Sequence, residues 1–164
     1  MAKTAAEICE AAEMEDRPDG APGEFVQALA AGERFPDAVK FIAFSLPKRE
    51  AVWWAWFCAR GAAGPEPPPK VKAALAATET WIAQPEEDNR RKAMEAAEAA
   101  GFDTPAGCAA LGAFFSGGSM APAGAPELPP GEHLTAKAVA GAVTLAALTG
   151  PPEKAPERYG AYIA

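Results

Sequence analysis

The chain has 164 residues, of which 49% are hydrophobic and 23% charged, and its formal net charge is −7. That length and apolar content fit one domain with its own core and exclude a disordered chain. Alanine supplies 42 residues and tyrosine only two, a composition too poor in strand formers for an all-β fold.

The first helix is predicted from Thr4-Ala5-Ala6-Glu7, which fits a capping box, and should run to about Met14. Asp16–Gly23 has turn composition. Residues 1–24 hold seven carboxylates against Lys3 and Arg17, a local charge of −5. They form an acidic N-terminal segment, expected to be the least tightly held part of the molecule, with Ile8 and Cys9 as the residues able to dock it. Residues 25–164 form the helical domain.

A short helix is predicted from Glu24 to Ala31, with Gly32 as its stop. Pro36 opens the next helix, where apolar positions 35, 38, 39, 42, 43 and 46 step by three and four and mark one buried face. Pro47 then starts a helix reaching about Ala63, with a sharp corner expected between the two. Its run Ala51–Cys58 is apolar all round, which places it at the centre of the fold.

Gly64–Pro69 reads as a stiff, extended connection. Helices follow from Lys70 to Ala83, from Pro85 to Gly101 with acids in the first turn, and from a Thr104 cap and Pro105 to about Phe115. Ser116–Gly131 is a sixteen-residue loop, long for a domain of this size, and so either functional or packed over a surface. Thr135 is predicted to cap a helix to Thr149, and a last helix covers Glu157–Ile163. The fold class is all-α: an irregular orthogonal bundle of eight to nine helices, with solenoid-like helical pairs as a variant.

Four large aromatics, Trp53, Trp54, Trp56 and Phe57, fall within five positions. They read as core, or as an aromatic groove for a peptide or ligand. Arg49 and Arg60 lie four residues before Trp53 and after Trp56, spacings that permit cation–π stacking. Lys48, Arg49 and Lys137 occupy first turns, where positive charge opposes the helix dipole, and His133 lies just before the later helix. If the two helix starts meet, these four residues build a concavity for an anion or an acidic partner. The other reading is solvation or pairing with Glu50 and Glu132. The interaction candidates are therefore Lys48, Arg49, Trp53, Arg60, His133 and Lys137.

Cys9, Cys58 and Cys108 are far apart and only one histidine is present, so no zinc site, metal or other cofactor is expected, and the thiols read as buried and free. The one basic cluster, Arg90-Arg91-Lys92, follows Glu86-Glu87-Asp88, which argues against nucleic acid. No segment has the length of a membrane span or the apolar stretch of a signal peptide, so a cytoplasmic protein is expected. No catalytic triad or paired-carboxylate arrangement is legible, and no catalytic residue is assigned.

Four segments, Phe35–Phe41, Leu46–Trp54, Asn89–Ala93 and His133–Val143, resemble an uncharacterised family of small bacterial helical proteins, a domain of unknown function. The similarity runs from about Phe25 to the end. The resemblance implies a cytoplasmic bacterial accessory protein associated with type VI secretion genes, and it brings no catalytic residues. The functional expectation is a non-enzymatic helical module that binds another protein with an acidic surface, as adaptor, chaperone or accessory factor. The alternatives are a toxin-neutralising immunity protein and, in another class, a small anion- or metabolite-binding enzyme.

Overall fold

In the computed structural model, which describes residues 3–164, the chain forms α1 (Ala5–Ala11), α2 (Pro22–Ala31), α3 (Phe35–Ser45), α4 (Lys48–Ala63), α5 (Pro69–Ala83), α6 (Glu87–Ala100), α7 (Pro105–Phe114), α8 (Leu134–Ala147) and α9 (Ala155–Ile163). A 3₁₀ turn, Pro152–Lys154, leads into α9. The described residues contain no strand. Five helices carry proline in the first turn, where its missing N–H has no intrahelical acceptor to lose. The prolines therefore start helices rather than break them.

The helix most nearly enclosed is α7, not α4. Ala106–Ala110 and Gly112–Phe114 are all buried, and α4, α5, α6 and α8 pack around them. The expected centre, α4, buries Ala51, Val52, Trp54, Ala55, Cys58 and Ala59 but turns Trp53 and Phe57 to solvent. The physical reason is size. Alanine and glycine let four neighbours close around one axis, whereas indole and phenyl rings in consecutive turns span too wide an arc to be covered together. At Gly107 a Cβ would lie 1.9 Å from the Gly101 carbonyl oxygen, so only glycine permits the turn before α7 to fold back on the helix. Because α4 reaches α5, α7 and α8 at once, the arrangement is a shared-core bundle rather than a stack of pairs touching only their neighbours.

Phe41, Leu29, Val39, Val52, Val139 and Val143 are fully buried large side chains, each stabilising the fold by about 1.5–3 kcal/mol. Between α3 and α4, Leu46 and Pro47 are both extended, which makes the predicted break.

Three sequence expectations are corrected. The acidic segment is not loosely held: Ala5, Ile8, Cys9, Ala12 and Met14 are buried and α1 packs on α3. Arg34 ties the following turn down with ion pairs of 2.9 Å to both Asp16 and Asp37. Second, α1 stops at Ala11 rather than Met14. Glu13 adopts a left-handed conformation (φ 59°), and Met14 N–H donates to the Cys9 carbonyl at 2.9 Å while Glu13 N–H donates to Glu10, a Schellman ending. The same motif ends α2, with Glu33 (φ 57°) and not Gly32 in the left-handed position. Third, Thr135 does not cap α8. His133 is the N-cap, without a side-chain hydrogen bond, and Thr135 lies buried inside the first turn, its hydroxyl donating to the Gly112 carbonyl at 3.0 Å.

The loop 116–131 is packed onto α6. Arg90, only 3% exposed, donates to the carbonyls of Phe114 (2.7 Å) and Ser119 (2.9 Å), and Arg91 donates to Ala121. The Ser119 hydroxyl accepts from Ala121 and Leu128 N–H. Gly118 (φ 65°) lies against the guanidinium, where a Cβ would come within 2.7 Å of it.

Candidate interaction surface

The three tryptophans of α4 meet different fates because they point three ways. Trp54 is buried and its indole N–H donates to the Tyr162 carbonyl at 2.9 Å, fastening α9. Trp56 is half-buried and donates to the Leu75 carbonyl at 3.1 Å, fastening α5. Trp53 is 48% exposed, and Phe57, one turn on, is 45% exposed. Their rings stack with centroids 5.5 Å apart, the i, i+4 contact a helix surface favours.

Arg60 extends this strip. Its guanidinium carbon lies 4.9 Å from the Trp56 ring centroid and 5.9 Å from that of Phe57, so the predicted cation–π contact forms. The corresponding contact of Arg49 on Trp53 is absent. Arg49 reaches instead to the end of α5, donating to the carbonyls of Ile82 (2.7 Å) and Ala83 (3.3 Å). A cation that opposes its own helix dipole thus neutralises the negative end of a neighbouring one. Lys48 acts similarly, donating to the Ser116 carbonyl just past α7 at 3.3 Å.

The starts of α4 and α8 do approach each other. Lys48 and His133 line one cavity of about 190 Å³, together with Lys3, Phe44, Pro47 and Glu132. The His133 ring lies 5.5 Å from Phe44. Arg49 and Lys137 do not line that cavity, and Lys137 is exposed. The four residues expected to converge therefore divide: Lys48 and His133 share a cavity, Arg49 caps α5, and Lys137 faces solvent.

Burial pushes the Cys58 thiol up to about 12 and that of Cys108 to about 11, and raises Cys9 as well. All three cysteines are free and buried. Hydrogen bonds from Arg90, then from Arg91, hold the Glu87 carboxyl down at about 2. Among the described residues no group of three or more His, Cys, Asp or Glu could hold a metal ion. No single helix there is long and apolar enough to cross a membrane.

Two residues were not among the interaction candidates read from the sequence. Phe57 was visible in the aromatic run, and its place four residues after Trp53 was the available signal. Arg90 carried none, because nothing local separates a buried arginine from the exposed Lys92 beside it.

The fold is an all-α bundle with an exposed aromatic strip on one helix. The family of unknown function DUF6931 matches residues 25–164, and the chain belongs to that family. No match was found among curated proteins or among solved structures.

Proposed function

We propose that the protein is a non-enzymatic helical interaction module whose contact surface is the Trp53–Phe57–Arg60 strip of α4. The observation that carries this reading is the stacked Trp53–Phe57 pair, about half exposed on a helix whose other two tryptophans are anchored by hydrogen bonds. Aromatic residues and arginine dominate the energetics of protein interfaces, and a rigid stacked pair loses little conformational freedom on binding. The resemblance described above suggests the setting: an adaptor, chaperone or accessory factor in the cytoplasm of a bacterium, alongside a type VI-like secretion or effector system. An immunity protein would use the same kind of surface. An anion- or metabolite-binding enzyme has less to rest on, since Arg49 and Lys137 stand away from the cavity that Lys48 and His133 share.

The test is a photo-crosslinking amino acid placed at position 57 in the host cell, with exposed Glu98 on α6 as the control position. The reading expects a discrete protein adduct from position 57 and none from 98. The same adducts at both, or none at 57, would remove α4 as the contact surface.

A further inference from the structure

Trp53 and Phe57 supply apolar area, and Arg60 adds something more specific. Six of the seven arginines are committed. Arg17, Arg49 and Arg158 donate to backbone carbonyls. Arg34 pairs with two aspartates, and Arg90 and Arg91 hold Glu87 and the long loop. Of the arginines, all of which lie among the described residues, Arg60 alone makes neither a side-chain hydrogen bond nor an ion pair, although its guanidinium lies beside the Trp56 and Phe57 rings. A cation–π contact of this kind occupies none of the N–H donors with an acceptor. A guanidinium held so is preorganised for the planar, two-pronged contact that a carboxylate makes.

The chain that follows it has the same sense of charge, whereas exposed Glu50, one turn before Trp53, stands at the other end of the strip. Between Arg60 and Lys72 the chain holds Arg60, Lys70 and Lys72 against Glu66 alone, and the short connection 64–68 joins the end of α4 to the start of α5. The whole chain carries −7. An acidic partner is therefore repelled by the bulk of the molecule and by Glu50, and admitted at the Arg60 end of the strip, which fixes its orientation as well as its sign.

We infer that the occupant of the α4 strip is an acidic segment of another protein, in which an Asp or Glu side chain sits within about one helical turn of an aromatic or aliphatic one. The carboxylate takes the open edge of Arg60, and the apolar side chain packs on Trp53 and Phe57. This rests on the proposed contact surface and adds the chemistry of what covers it.

The probe is a library of random twelve-residue peptides displayed on phage and selected on the immobilised full chain. The expected result is enrichment of sequences with a carboxylate close to an apolar residue. A synthetic peptide of that kind should lose affinity about tenfold with Arg60→Leu. It should lose the same when its own carboxylate is exchanged for the amide, with no further loss when both changes are combined. Trp53→Ser should abolish binding. Circular dichroism of each variant should match the parent, since all three side chains are exposed. Selected peptides without acids, or acidic peptides indifferent to Arg60→Leu, overturn the acidic occupant, while their dependence on Trp53 leaves the contact surface standing. A selection that yields no peptide dependent on Trp53 or Phe57 overturns both. Sedimentation showing a dimer that Phe57→Ser dissolves would make a second copy the occupant and overturn the inference.

Discussion

The Arg90 guanidinium lies 4.5 Å from the centroid of the Phe114 ring while one of its N–H groups donates to the carbonyl of the same residue at 2.7 Å. One side chain on α6 thus grips both the ring and the backbone at the end of α7, and its remaining donors hold Ser119 and Glu87. The long loop keeps its position because of this grip rather than through a core of its own.

Arg90→Ala should lower stability by about 2–3 kcal/mol, because it leaves carbonyl groups that have lost a buried donor. Urea denaturation measures the loss. Limited proteolysis should show faster cleavage within 116–131, and Gly118→Ala, which drives a Cβ into the guanidinium, should speed cleavage at the same place. Unchanged cleavage in both variants would show that the loop is fixed by something else.

Arg49→Ala removes the donors that close α5 and should cost about 1–2 kcal/mol. Binding through the α4 strip should be unaffected. A variant that binds more weakly yet melts at the parent temperature would place Arg49 in the contact surface instead.

The three thiols should be inert to Ellman's reagent at pH 8 in the native protein and should all react in guanidinium chloride. Raised folded values also make stability depend on alkali. A thiol that ionises near 9.0 in the unfolded chain but near 11 or 12 in the folded one contributes fully below pH 9. That contribution fades as pH rises through the folded values. The urea midpoint should therefore fall between pH 8 and pH 10.5, and less so in a Cys58→Ala, Cys108→Ala double variant.

Ile8→Ala should destabilise by about 2–4 kcal/mol, the range for emptying a buried aliphatic site, since Ile8 is 2% exposed. Deleting residues 1–20 should lower the melting temperature further. A deletion that melts like the parent would mean that α1 contributes nothing to the core.

Helix starts were legible in the sequence wherever the signal was local. Thr4 and Glu7 form the capping box, and Thr104 with Pro105 opens α7 as read, the hydroxyl accepting from Gly107 N–H. What failed depends on neighbours distant in the chain. Thr135 looks like a cap until α7 supplies the Gly112 carbonyl twenty-three residues away. Lys48 and Arg49 look misplaced until the ends of α7 and α5 arrive beside them. Spacing put Arg60 on the aromatic strip correctly, because an i, i+4 contact lies within one helix. Which tryptophan would face outward was settled by where α5 and α9 lie, and no local pattern carries that information.

The alanine-rich enclosure of α7 bears on how the protein responds to temperature. Alanine gives up no rotamer freedom on folding, so a helix surrounded through methyl groups starts with a small entropic penalty. It also removes less apolar area from water per residue than leucine or phenylalanine would, and the heat capacity of unfolding follows that area. The stability curve of this protein should accordingly be shallow and broad for its length, with cold and heat denaturation far apart.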